Sequence, residues 1–443
     1  MLGGKDMKIT FLGAGSTVFC KNVLGDVLLT EAISDCEIAL YDIDKDRLEE
    51  SYIVVDRLNK KYNSGKAAVK KFLGKENRRD ALRGAEFVVN AIAVGGYEPC
   101  TVIDFEIPRK YGLLQTIGDT LGIGGIFRGM RTIHVMREFA EDIEAVCPDA
   151  LFLNYTNPMA ILTGYMLKHT GVKTVGLCHS VQTCTSSLLE TLGIPDQPIG
   201  SELIAGINHM AWLLDIRDKE GNDLYPMIRR LARERNKEKH DNMVRLDYID
   251  KLGYYCTESS EHNAEYNPYY IKSKYPELIE KFNIPIDEYL SRCVNQINGW
   301  QKQKAQLLNG GDIEHKRSNE YASRIMEAVV TDTPYPLGGN VLNNGLITNL
   351  PRDAVVEVPC IACGRGIIPS AVGDIPLQLA AMNVSNINTQ LLTIEAAVTG
   401  KREHLYQAAM FDPHTAAELS IDDIISMCDE MIEAHEAAGF RII

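Results

Sequence analysis

A short apolar run, Lys8-Ile-Thr-Phe-Leu12, stops at Gly13-Ala14-Gly15-Ser16 and gives way at once to a helical pattern. This junction constrains the fold more than any other stretch. An apolar pentapeptide bounded by glycine fits a strand buried on both faces. Glycines between such a strand and a helix let the backbone turn tightly. The unit then recurs. The periodicity predicts helices over 16–29, 44–62 (with Asp44 as N-cap), 77–82, 130–146 and 160–169. It predicts strands over 37–41, 69–72, 86–93, 150–154 and 173–177. Alternation of this kind builds a parallel sheet with helices on both faces. The expected fold class is α/β, a Rossmann-type doubly wound parallel sheet.

The alternation fades near residue 200. With 443 residues, two large domains are expected: a nucleotide-binding domain over 1–200 and an α+β domain over 201–443 for substrate, metal and oligomerisation. In the second, helices are expected over 229–240, 375–399 (Asp374 as N-cap, Pro376 in the first turn) and 421–438, with 331–336 a loop. The 46 basic and 60 acidic residues leave a net charge of −14, which argues against nucleic acid as a partner. No stretch approaches the ~18 apolar residues of a membrane span. Residues 1–6 are too short and polar for a secretory leader. Eleven cysteines, odd in number and irregularly spaced, predict reduced thiols and a cytoplasmic location. The lone Cys360-Ile-Ala-Cys363 pair reads as buried small apolar residues.

Several positions carry chemistry. Gly13, Gly15 and Ser16 are placed to bring backbone and helix N-terminus to a pyrophosphate. Val18 stands where a third glycine is usual. Asp42 ends the second strand, where a carboxylate accepts hydrogen bonds from both ribose hydroxyls and favours NAD over NADP. The bland alternative is a tight turn with a solvated Asp42. Cys178 follows a strand at the sheet edge where such folds bind ligands, and His209 sits in Gly206-Ile-Asn-His-Met210. A thiolate and an imidazole from separate segments leave open positions on a catalytic metal. By ligand type the pair suits zinc, iron or cobalt better than manganese. The alternative is a buried cysteine and a core histidine. Asn157, held extended by Pro158, offers an amide to substrate hydroxyls. Asp119 opens a glycine-rich stretch, Asp119-Thr-Leu-Gly122-Ile-Gly124-Gly125, which reads as a loop that either forms a lid or places Asp119 in the site. The alternative is a mobile surface loop with a solvated Asp119.

Taken together, Gly13-Ala-Gly-Ser16, Gly95-Gly-Tyr-Glu-Pro99, Asp119-Thr-Leu-Gly122, Asn157-Pro158, Cys178-His-Ser-Val181, Asn208-His209, Ser259-Ser-Glu-His262, Glu265-Tyr266 and Asp412-Pro-His-Thr-Ala416 resemble glycoside hydrolase family 4. This NAD-dependent family departs from the two-carboxylate glycosidase scheme. The Cys-His-Ser-Val form is most similar to the family's bacterial α-galactosidases. The resemblance implies NAD, a divalent metal (usually manganese), a homodimer or homotetramer, and a second domain like the C-terminal domain of lactate and malate dehydrogenases. It implies hydrolysis of an α-galactoside such as melibiose by oxidation, elimination, addition and reduction, with no net redox change. It implies Cys178 and His209 as metal ligands, Asn157 as substrate binder, Tyr266 as the base at sugar C2, and Asp119 as the carboxylate that makes Tyr266 more basic. His179 stands where phospho-sugar members have an acidic aspartate, which makes it the candidate acid. The alternatives are an α-glucosidase or α-uronidase of the same family, or a 2-hydroxy acid dehydrogenase.

Overall fold

The computed structural model describes residues 7–308 and 313–443. Twelve strands form one sheet: β1 (Lys8–Leu12), β2 (Glu37–Asp42), β3 (Ala68–Leu73), β4 (Phe87–Asn90), β5 (Leu151–Asn154), β6 (Lys173–Gly176), β7 (Ser201–Ile207), β8 (Met210–Arg217), β9 (Tyr255–Cys256), β10 (Tyr335–Leu342), β11 (Val355–Cys363) and β12 (Gly366–Pro369). The order is β3-β2-β1-β4-β5-β6-β10-β11-β7-β8-β9, with β12 on β11. The first six strands pair in parallel, in the order of a doubly wound nucleotide-binding sheet. The periodicity predicted this half. Its strands alternate between two cores, as strand geometry requires. Ile9, Phe11, Phe87, Val89 and Leu153 face one, and Leu12, Val88 and Phe152 the other.

The rest of the sheet is antiparallel. Two seams join it to itself and to the parallel half through one residue pair each, Gly176↔Asn340 between β6 and β10 and Glu357↔Gly206 between β11 and β7. Cys178 lies two residues beyond the first seam and Asn208 two beyond the second. Sheet and core both run across residue 200, since one cluster holds Val175, Leu177, Ala205, Ile207 and Trp212 together. No helix among the described residues is long and apolar enough to cross a membrane.

Helix ends follow local chemistry. Asp44 caps Lys45–Tyr62, its carboxylate accepting from Asp46 N–H and Arg47 N–H, as predicted. Asp374 does not cap the Leu377–Thr399 helix. Pro376 occupies the N-cap position, and Asp374 accepts instead from the Thr348 hydroxyl. The expected 229–240 helix spans Tyr225–Arg235. The larger correction concerns the glycine-rich stretch after Asp119. It is neither lid nor mobile loop. Gly122–Val146 is a single helix, and Gly122, Ile123, Gly124, Gly125 and Ile126 are all buried. A Cβ on Gly124 would lie 2.4 Å from the Gly118 carbonyl oxygen. These glycines are packing sites, where the helix starts against its own preceding strap. Tyr335 and Pro336, expected in a loop over 331–336, instead open β10, whose Pro336, Gly338 and Gly339 are poor strand formers.

Candidate active site

The turn between β1 and the Thr17–Leu28 helix is built from backbone bonds. Gly13 N–H and Ala14 N–H both donate to the Tyr41 carbonyl at 3.0 Å. Gly13 has φ +83°, and a Cβ there would lie 2.7 Å from the Ala91 carbonyl oxygen. Only glycine fits that position. Gly15 N–H donates to Asp42 Oδ2 at 2.6 Å, and Asp44 N–H to Asp42 Oδ1 at 2.9 Å. Asp42 therefore stands at the end of β2, facing the turn, as predicted. Ser16 occupies the helix N-cap without a capping bond from its side chain and is exposed. Val18 is exposed too.

A second group of side chains gathers beyond β6 and β7. One ligand atom each from Cys178, His209 and Glu258 lies within 4.8 Å of the other two. Cys178 follows β6, and its backbone is held by Tyr321, whose hydroxyl accepts from Cys178 N–H at 2.8 Å and donates to Cys178 C=O at 3.1 Å. His209 sits in the two-residue turn between the paired Ile207 and Met210. His209 and Glu258 have φ +62° and +64°, a left-handed backbone that costs bulky residues energy and persists where surroundings impose it, often at functional sites. Burial pushes the Cys178 thiol up, and the negative charges of Glu357 and Glu258 push it further. Burial works the same way on Glu258, but His209, His262 and Arg245 outweigh it and hold the carboxyl low. A sulfur, an imidazole and a carboxylate with excess negative charge suit a divalent cation with open positions.

Tyr266 closes this group. It is fully buried, and its hydroxyl lies 3.1 Å from His209 Nδ1. Burial, then Glu265, Asp119 and Glu258, raise its pKa well above that of free tyrosine. Asp119 is buried, accepts from Thr120 Oγ1 at 2.7 Å, and accepts from Asn157 Nδ2 at 3.4 Å. Burial opposes its ionisation, but His262, Arg128 and His209 hold it well below the usual carboxylate range. The structure thus brings Asp119, Asn157, Cys178, His209 and Tyr266 into one site.

Residues 8–194 match the family 4 glycosyl hydrolases, and residues 204–415 match the C-terminal domain of family 4 glycosyl hydrolases. The chain belongs to glycoside hydrolase family 4. Among relatives of this family 4 protein, an α-galactosidase of Bacillus subtilis (strain 168) is 60% identical over 428 residues, covering 97% of this chain and 98% of that one. An α-galactosidase of Rhizobium meliloti (strain 1021) is 35% identical, covering 96% and 88%. The crystal structure of a 6-phospho-α-glucosidase from gut microorganisms, in complex with NAD and Mn2+, superposes with a TM-score of 0.79 at 20% identity, covering 99% and 100%.

Three side chains in this cluster carry no role assigned from the sequence, although His262 belongs to a motif noted there. Glu258 immediately precedes the Ser259-Ser-Glu-His262 motif, and nothing in its neighbours signals a ligand. His262 sits at the centre. Its Nε2 is 3.6 Å from Asp119 Oδ1 and its Nδ1 3.4 Å from Glu258 Oε1, with its ring 4.7 Å from that of His209. Glu357, buried on β11, accepts from Asn340 Nδ2 at 2.9 Å. Burial pushes its carboxyl up to about 7. His179, beside Cys178 in the chain, is oriented to a partner the sequence did not reveal. Its Nε2 lies 2.8 Å from Glu320 Oε2, which raises the imidazole pKa.

Proposed function

We propose that this family 4 enzyme is an α-galactosidase that hydrolyses α-galactosides such as melibiose with NAD and a divalent metal, manganese foremost. The 60% identity to an α-galactosidase supports the sugar, and the NAD and Mn2+ of the gut 6-phospho-α-glucosidase support the cofactors. The observation that carries the reading is the Cys178–His209–Glu258 cluster in contact with Tyr266 through His209. When bound, NAD takes up and returns a hydride at sugar C3, and the metal polarises the C2 and C3 oxygens.

In this reading, Gly13, Gly15 and Ser16 hold the pyrophosphate and Asp42 the ribose, all from the 1–200 half. The 201–443 half supplies His209, Glu258 and Tyr266. Cys178 and His209, with Glu258 beside them, hold the metal. Asn157 binds substrate hydroxyls. Once C3 is a ketone, the C2 proton is acidic, and Tyr266 removes it. That requires a phenolate, which burial and three carboxylates disfavour. The base therefore forms only with positive charge at the neighbouring cluster. Asp119 then makes the phenolate a stronger base. Loss of the C2 proton expels the glycosidic oxygen, and His179, whose pKa the Glu320 carboxylate raises, donates to it. Water adds to the resulting double bond, and the ketone is reduced again. The eleven free cysteines fit a reducing cytoplasm, and the family reading fits a homodimer or homotetramer.

Hydrolysis of p-nitrophenyl α-galactoside with NAD, Mn2+ and thiol, each omitted in turn, tests this reading. Full activity without NAD and metal sinks it.

A further inference from the structure

A buried carboxylate whose charge acts on Tyr266, but which has no assigned contact with substrate, cofactor or metal, lies next to that residue. Glu265 ends the Ser260–Glu265 helix and is 2% exposed. Its Oε2 accepts from Thr116 N–H at 2.9 Å and Ile117 N–H at 3.2 Å, and its Oε1 from Gly118 N–H at 2.8 Å. No lysine or arginine pairs with it among the described residues. Three consecutive backbone N–H groups converge on one carboxylate, as they would on a bound anion. A buried carboxylate is costly unless fully hydrogen-bonded, and these bonds satisfy both oxygens.

The bonds hold a strap, residues 115–118, that leads directly into Asp119. The strap is fixed from other sides as well. Thr116 Oγ1 donates to the Glu261 carbonyl at 2.7 Å. The carbonyls of Gln115 and Thr116 accept from Asp287 N–H and Tyr289 N–H, both at 3.0 Å. The Gln115 side chain bridges Asp104 C=O at 2.7 Å and Gly124 N–H at 3.2 Å. One residue past the strap is Asp119, and one residue past Glu265 is Tyr266. The clamp thus joins the two segments at the residues adjoining both groups.

We propose that Glu265 is a positioning residue that locks the strap carrying Asp119 to the helix carrying Tyr266, and so fixes carboxylate and phenol in register for removal of the C2 proton. The proposal rests on the roles assigned above to Asp119 and Tyr266. Glutamine has the same shape but presents an NH2 group to donors that need acceptors. At least one of the three bonds is then lost, and the strap shifts.

The test uses the full chain with NAD, Mn2+ and p-nitrophenyl α-galactoside. For Glu265→Gln, kcat is expected to fall about 30- to 100-fold, the size of loss that follows a misplacement of about 1 Å. KM and Mn2+ affinity should stay within about threefold, as for an interaction felt in the transition state alone. The deuterium isotope effect on kcat from C2-labelled substrate should rise, because proton removal becomes slower relative to the other steps. Thr116→Val, which removes the hydroxyl that donates to the Glu261 carbonyl and also lies against the Glu265 carboxylate, should shift kcat and isotope effect the same way by less, and carries the test if Glu265→Gln does not fold. A kcat within about threefold of native overturns the clamp. So do parallel losses of kcat, KM and Mn2+ affinity with an unchanged isotope effect. If Tyr266→Phe and Asp119→Asn retain native activity, the site reading and the clamp both fall. If those two are inactive and Glu265→Gln is normal, only the clamp falls.

Discussion

Cys178 and His179 are neighbours in sequence with separate environments. The Cys178 thiol is held protonated by burial and nearby carboxylates, so binding a cation there releases a proton. Cys178→Ser is expected to weaken Mn2+ binding at least tenfold and to lower kcat in step, measured by titration calorimetry and pNP-galactoside hydrolysis. Undiminished affinity removes Cys178 from the metal. His179 is favoured in its protonated form by the hydrogen bond to Glu320. Its pKa in the fold is raised above the ~6.5 of a free imidazole. The pair therefore stabilises the fold fully below that ordinary value and ceases to as pH rises through the raised one. A general acid must be protonated, so the rate falls on the same alkaline side. Glu320→Gln should move the alkaline limb of the kcat–pH profile to lower pH. An unmoved limb shows that another group is the acid.

At the scale of elements, the parallel strands and their helices were legible because each is encoded locally. β1 is buried at all five positions, which reads as an unbroken apolar run. Asp44 precedes its helix with the side chain that caps it. The glycines after Asp119 were misread because glycine signals a loop by composition, whereas here it permits close approach. That approach predicts the effect of filling it. Gly124→Ala would place a methyl 2.4 Å from the Gly118 carbonyl. Overpacking of this kind costs about 1–3 kcal/mol, read as a lower urea midpoint. Because the Gly118 strap adjoins Asp119, kcat should fall as well. A variant with native stability and rate would show that the strap yields freely.

For the whole molecule, one sheet and one core cluster cross residue 200. The two halves are expected to unfold together, with a single calorimetric transition whose enthalpy matches the van't Hoff value. Two resolved transitions would show that the single-pair seams at Asn340 and Glu357 uncouple the halves. The sequence by itself determined the parallel half, the nucleotide turn and, through its motifs, the family, because strand periodicity, caps and tight turns depend on residues a few positions apart. Only the tertiary structure decided that Glu258 and His262 join Cys178, His209 and Tyr266, that Glu320 faces His179, and that Glu265 grips the strap before Asp119. Those contacts lie between segments far apart in the chain, and the burial and charge that tune them exist only after the sheet has brought the segments together.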